Sequence, residues 1–172
     1  MIDFPSPNFE DRKDLIRFII IHSTGSNNLA KALDYLVFSK APNRVSSHYL
    51  IDRDGTVYRL VPEDKTAWHA GLSDWNGYAK SKGLKSLNHS SIGIELQMKA
   101  FSHDPNSGEA CTFEAPTDEQ LNVCTSLCKQ IISRHSILPV NVLRHCDVSP
   151  GRKFDPDANF PWILFKKGLE RE

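Results

Sequence analysis

Long hydrophobic runs are missing from this sequence of 172 residues: the longest near its start is Phe18-Ile19-Ile20-Ile21, preceded by a charged stretch at 10–14. A bilayer-spanning helix needs about 20 apolar residues, so no transmembrane segment is expected. A secretory leader is also missing, which predicts a cytoplasmic protein as the sequence stands; a periplasmic or cell-envelope location is the alternative if the chain is a trimmed mature domain. No excess of one charge is present either. Lys plus Arg number 21 and Asp plus Glu number 21, so there is no broad basic field of the kind that holds nucleic acid or anionic lipid. Cysteine is scarce and poorly spaced for metal or disulfide chemistry. Cys111, Cys124, Cys128 and Cys146 form no Cys-x-x-Cys pair, and Cys124 and Cys128 lie four apart in a helical pattern, where they read as small buried apolar residues. Composition argues against disorder, since 40% apolar and 24% charged residues are ordinary for a globular domain. We expect residues 1–172 to form one domain, with no internal repeat.

What is present is an alternation of short apolar runs and helical patterns. Residues 1–14, with Pro5 and Pro7, read as an extended N-terminal arm. Residues 17–22 are apolar and β-branched and are followed by Ser23-Thr24-Gly25, which predicts a buried strand ending at His22. Leu29, Leu33, Leu36 and Val37 recur at helical spacing behind Asn27 and Asn28, either of which can cap a helix over about residues 29–39. Residues 48–52 and 56–61 flank Asp54-Gly55, a hairpin signal. In "SIGIELQ", residues 91–97, the apolar Ile92, Ile94 and Leu96 alternate with Gly93 and Glu95, so Glu95 faces away from the core. Thr117 and Gln120 form a capping box for a helix reaching about His135. Residues 140–145 read as a further strand and 160–169 as a closing helix. Strands that interleave with helices but include a hairpin give a mixed sheet. The expected class is α/β: a single domain with a mixed central β-sheet flanked by helices.

The residues richest in chemistry lie in "RHCDVSPGRKFDP", residues 144–156, where Pro150, Gly151 and Pro156 argue for a loop. His145 ends the strand leading into it, as His22 ends the first strand. Strand ends on one edge of a sheet bring together side chains that are far apart in sequence. With Asp155 they make two imidazoles and a carboxylate, a set that suits Zn²⁺ with a fourth position left for water. The spacing is no local metal signature, and histidines satisfied by hydrogen bonds at strand ends are the competing reading.

Four motifs bear on that choice. "FIIIHST", "VSSHYLIDRDGTVYRLVPEDKTAWHAG", "SSIGIEL" and "RHCDVSPGRKFDP", in this order, resemble the zinc-dependent N-acetylmuramoyl-L-alanine amidases of the type-2 family. The likeness is to the branch of AmpD and AmiD, with the peptidoglycan-recognition-protein fold, and it runs from about Ser6 to Phe160. It implies a bacterial hydrolase with one Zn²⁺ per chain, which cuts the amide between N-acetylmuramic acid and L-alanine in peptidoglycan or anhydro-muropeptides during cell-wall degradation, recycling or remodelling. A non-catalytic peptidoglycan-recognition module is the alternative. The implied partner is a peptidoglycan or muropeptide substrate, with no nucleic acid and no membrane span. Carried over motif by motif, His22, His145 and Asp155 are the implied zinc ligands, at one edge of the sheet. Glu95 is the implied catalytic acid/base, and Lys153 its partner.

Chemistry agrees with those roles. A glutamate on the polar side of its strand can move a proton between water and a leaving amine. A lysine two residues from a metal ligand is a fixed positive charge for a developing oxyanion. Arg152 is placed on the solvated side of the loop. The "AWHAG" motif is placed along the substrate groove, giving Trp68, His69, Ala70 and Gly71 as substrate-binding residues. His48 is read as buried structure, and His89, His103 and His135 as surface residues. Residues 98–116 resemble no motif of the family, and a loop after the Glu95 strand is expected to shape the groove and the choice of substrate.

Overall fold

The structure is a computed structural model that describes residues 1–101 and 112–170. Along the chain run β1 (Ile2–Asp3), β2 (Phe9–Asp11), β3 (Phe18–Gly25), α1 (Leu29–Phe38), β4 (Tyr49–Ile51), β5 (Val57–Arg59) and β6 (Lys65–Ala67). There follow α2 (Tyr78–Ser81), β7 (Ser91–Lys99), α3 (Asp118–His135), β8 (Val142–Arg144), α4 (His145–Val148) and α5 (Trp162–Glu170). The main sheet has the order β1-β5-β4-β7-β3-β8, and β2 pairs with β6 in a separate antiparallel ribbon. Within the main sheet the β4–β5 hairpin is antiparallel and the other pairings are parallel, so the sheet is mixed, as expected.

Alternation along the two central strands decides what each face of the sheet does. Both β3 and β7 are buried on both faces, which is why they read as nearly continuous apolar runs. Ile19 and Ile21 of β3, with Ile92, Ile94 and Leu96 of β7, pack in one layer with Cys124, Leu127, Cys128 and Ile131 of α3 and Phe165 of α5. The two cysteines are thus small core residues, as read from their spacing. Ile20 and Phe18 belong to the opposite layer, with Ala79, Leu87 and Val148. Beside them α1 lays Ala32, Leu33, Leu36 and Val37 against Leu50 and Leu60. Period-two alternation then puts His22 on this second face, one step beyond Ile20, together with Gly93 and Glu95 of β7. The parallel register sets Ile20 opposite Gly93 and His22 opposite Glu95.

The helix starts follow from capping chemistry. Asn28 accepts from the Lys31 amide at the start of α1, and Thr117 and Gln120 form the reciprocal capping box of α3. Three details differ from the sequence reading. Residues 1–14 are extended but woven into the fold: β1 joins the sheet edge, β2 pairs with β6, and the Arg12 guanidinium donates to the carbonyls of Glu63, Asn88, His89, Lys65 and Ser91. Strands of two or three residues are too short to show alternation. The first strand also continues past His22 to Gly25. Finally, His145 opens a helical turn, α4, inside the segment read as a loop; Pro150 and Pro156 lie beyond the end of that turn and do not oppose it.

Candidate active site

Three donor atoms converge at the C-terminal ends of β3 and β8. His22 sits on β3, His145 stands at the first position of α4 directly after β8, and Asp155 lies on the following loop; all three are buried. His22 Nδ1 is 2.9 Å from His145 Nδ1 and 3.5 Å from Asp155 Oδ2, and His145 Nδ1 is 3.1 Å from the same oxygen. The remaining ring nitrogen of His145 shows where its proton is. His145 Nε2 lies 3.2 Å from the carbonyl oxygen of Ala70, and a carbonyl only accepts, so Nε2 carries the hydrogen and Nδ1 turns a lone pair toward the cluster.

The donor set fits a metal ion. Lone pairs of nitrogen and a carboxylate oxygen, gathered this closely away from water, are mutually repulsive until a cation sits among them. Bonds of about 2.0–2.2 Å at tetrahedral angles place neighbouring ligand atoms roughly 3.3 Å apart. The three separations here, 2.9, 3.1 and 3.5 Å, bracket that spacing. Protonation agrees as well. Burial, and then the neighbouring His145, lower His22 to about 4, so its imidazole is neutral near pH 7, the form that binds metal. Burial works to raise the Asp155 carboxyl, but the adjacent imidazoles of His145 and His22, whose Nδ1 atoms donate to it whenever they are protonated, lower it below the usual carboxylate range.

Glu95 stands beside this cluster, with Oε1 3.9 Å from His22 Nδ1. Its Oε2 is buried and has no hydrogen-bond partner among the described residues. An isolated carboxylate oxygen in such a place costs stability and is available to a ligand. Burial first, and then the charge of Asp155, push Glu95 up to about 8, while Lys153 pulls it down. A divalent cation in the cluster adds a positive charge that favours the ionised carboxylate. Lys153 lines the same cleft, whose volume is about 460 Å³ and whose wall also carries Tyr35, Trp68 and Phe154. The sequence reading passed over Tyr35 and Phe154. Phe154 was findable, because it stands between Lys153 and Asp155; Tyr35 is an exposed residue on the far side of the apolar stripe of α1 and carries no sequence signal.

The structure gathers the five residues assigned to metal and catalysis, but it divides the "AWHAG" motif. Trp68 and His69 line the cleft. Ala70 and Gly71 are not among its lining residues: Ala70 is fully buried and its carbonyl holds His145, while Gly71, at φ +56°, lies against the Arg152 guanidinium. Arg152 is exposed, as expected of the solvated side of the loop, but its guanidinium is also engaged with the neighbouring backbone. Its Nη2 donates to the carbonyls of Ala70 and Leu72 and to Ser149 Oγ, at 2.6 to 2.9 Å, clamping the 70–72 segment to the metal loop. His48 is buried structure, as read: its Nδ1 accepts from the Gly93 amide, and burial followed by Arg12 lowers it to about 3. His89 and His135 are half-buried and not simply on the surface, bonded to Thr66 Oγ1 and to Glu63; His103 lies outside the described residues. Of residues 98–116, Ala100 and Phe113 form an antiparallel bridge and both line the cleft, so the flanks of this segment do reach the groove; residues 102–111 lie outside the described part.

A mixed sheet that brings two imidazoles, a carboxylate donor and a buried glutamate to the ends of its parallel strands defines an α/β metal-site domain. Comparison gives the family: residues 11–158 match the model of N-acetylmuramoyl-L-alanine amidase, and the chain belongs to that family. It is 34% identical over 154 residues to N-acetylmuramoyl-L-alanine amidase AmiD of Escherichia coli, covering 86% of this chain and 51% of that protein. Against 1,6-anhydro-N-acetylmuramyl-L-alanine amidase AmpD of Citrobacter freundii the identity is 37% over 123 residues, or 72% of this chain and 56% of the relative. The chain therefore spans about half the length of the curated relatives it matches. A solved complex of E. coli AmiD with anhydro-N-acetylmuramic acid-L-Ala-D-gamma-Glu-L-Lys aligns with a TM-score of 0.72 at 33% identity, over 89% of this chain and 57% of that one.

Proposed function

We propose that residues 1–172 form one catalytic domain, an N-acetylmuramoyl-L-alanine amidase that uses one zinc ion to hydrolyse the amide between N-acetylmuramic acid and L-alanine. The observation that carries the reading is the convergence of His22 Nδ1, His145 Nδ1 and Asp155 Oδ2 beside the buried carboxylate of Glu95. Two imidazoles and one carboxylate are a donor set for zinc with a position left open for substrate chemistry. When bound, zinc supplies Lewis-acid polarisation of the scissile carbonyl and a nucleophile from water at neutral pH. Glu95 accepts the proton that the attacking water gives up and returns it to the departing amino group of L-alanine. Lys153 presents an ammonium group to the oxyanion that develops on the muramoyl carbonyl. The cleft of about 460 Å³ suits a small glycopeptide, and Trp68, Tyr35 and Phe154 offer it apolar faces.

The compound held by the AmiD neighbour is an anhydro-muramoyl peptide, which supports an anhydro-muropeptide or peptidoglycan substrate for this chain. The test is to incubate the protein with purified anhydro-muropeptide and, separately, with intact sacculi, and to weigh the products. The anhydro-muropeptide is expected to give free anhydro-N-acetylmuramic acid and a stem peptide with a new L-alanine amino terminus, and sacculi to give the same kind of peptide and glycan strands with free lactyl carboxylates. Tight binding of either material without any new amine identifies a recognition module instead.

A further inference from the structure

His22 has a second ring nitrogen, turned away from the metal cluster, and a chain of buried groups leads from it. His22 Nε2 lies 3.0 Å from His69 Nδ1, His69 Nε2 lies 3.1 Å from Ser91 Oγ, and Ser91 Oγ lies 2.7 Å from the carbonyl oxygen of Leu87. The direction of every hydrogen bond in this chain follows from its far end. The Leu87 carbonyl only accepts, and two oxygens 2.7 Å apart repel unless a hydrogen lies between them, so the Ser91 hydroxyl donates to Leu87. Its single hydrogen spent, Ser91 Oγ accepts from His69, which places the His69 hydrogen on Nε2. Burial disfavours a charged His69, and a neutral imidazole carries one hydrogen, so His69 Nδ1 is an acceptor. His22 then donates from Nε2, and its Nδ1 is left bare.

The ring of His69 is held in this role from three sides. Asn88 Oδ1 accepts from the backbone amides of His69 and Ala70, at 3.3 and 2.8 Å. The ring meets His22 edge to face, with centroids 5.1 Å apart. The ring also lies against Gly93, where a Cβ would come within 2.5 Å of His69 Cγ, so the β7 strand must be bare at that position. We propose that His69 is a positioning residue which, through Ser91, holds His22 as its Nε2–H tautomer and so offers Nδ1 to the metal. The inference rests on the metal-site reading above. It gives His69 a task distinct from lining the groove and explains the glycine of "SSIGIEL".

Outer partners of this kind are typically worth 10- to 100-fold in metal affinity. The test starts with the metal-free protein and long-range proton–nitrogen NMR correlations of its imidazoles. Both His22 and His69 are expected with hydrogen on Nε2; a His22 that carries it on Nδ1 overturns the inference. Zinc affinity is then measured by competition with a chromophoric chelator, on variants whose fold is checked by circular dichroism. His69→Ala and Ser91→Ala are expected to weaken zinc binding, by roughly 100-fold and 10-fold respectively. His69→Asn, whose Oδ1 reaches the place of Nδ1 and still accepts, recovers most of the loss. Unchanged affinity in both alanine variants contradicts the role. Should His69→Ala fail to fold, Ser91→Ala against Ser91→Thr makes the same comparison. If the wild-type protein takes up no zinc, the metal-site reading fails on that result, and the tautomer spectra still decide the role of His69.

Discussion

His22 and Glu95 are register partners on the parallel strands β3 and β7, and their side chains meet on one face with Nδ1 3.9 Å from Oε1. A slip of one residue in either strand would send one of them into the layer of Ile21 and Ile94 and break the site. The relationship between His22 and the Glu95 carboxyl is therefore built into the most buried part of the sheet and not left to a loop. It sets Glu95 beside the three residues that could hold a metal ion and outside that group.

Glu95→Gln keeps the shape of the side chain but cannot accept a proton. The variant is expected to bind zinc as the wild type does while kcat falls by roughly 10² to 10⁴. Metal analysis alongside turnover checks this, and loss of the metal in the variant would make Glu95 a ligand.

Lys153 and Arg152 are adjacent cations with different surroundings, so their variants should fail differently. Lys153→Ala is expected to lower kcat by roughly 10- to 10³-fold with little change in KM, because the ammonium acts on charge that exists only in the transition state. Arg152→Ala removes the clamp on Ala70, Leu72 and Ser149, so the carbonyl that orients His145 loses its second partner. Lower thermal stability and weaker zinc binding are expected there. A stable, zinc-replete Arg152→Ala protein with no turnover would make the arginine the cation at the reaction centre.

Gly93→Ala places a methyl group 2.5 Å from His69 Cγ in a strand paired on both sides. Overpacking of this kind costs about 1–3 kcal/mol, and Tm falls by roughly 2–4 °C for each kcal/mol in a domain of this size. Calorimetry reads the shift. An unchanged Tm would mean that the ring moves aside freely.

Glu63 gives a pH dependence away from the site. Burial alone would raise its carboxyl, but Arg134, His135 and Tyr49 donate to it and hold it at about 2, against an ordinary 4.5. The unfolded chain thus takes up this proton at higher pH than the folded chain does. The stability Glu63 contributes is complete above about pH 4.5 and is lost as pH falls through about 2. Glu63→Gln is expected to lower Tm near neutral pH, with a gap that closes toward pH 2. A gap of constant size across acid pH contradicts the assignment.

Much of this architecture was legible because its cues are local. Ile19 to His22 is an apolar strand before a turn, Ile92 to Leu96 alternates around Glu95, and Thr117 with Gln120 announces α3. The metal residues were legible as candidates, but only the family resemblance joined His22 to His145, since no local spacing links residues 123 apart. Other features had no such cue. The pairing of His69 with His22 depends on how a loop between β6 and α2 folds over β7. The work of Arg152 is done by backbone carbonyls, which a sequence does not distinguish. The α4 turn has four residues, fewer than any periodicity needs, and β1 has two.

The central claim is that His22, His145 and Asp155 hold the zinc that amide hydrolysis requires. The most direct measurement is the zinc content of the purified protein, by elemental analysis, paired with anhydro-muropeptide cleavage before chelation, after chelation and after zinc is restored. The expected result is about one zinc per chain, with cleavage lost and regained in step with the metal. Undiminished cleavage by protein stripped of zinc would contradict the account.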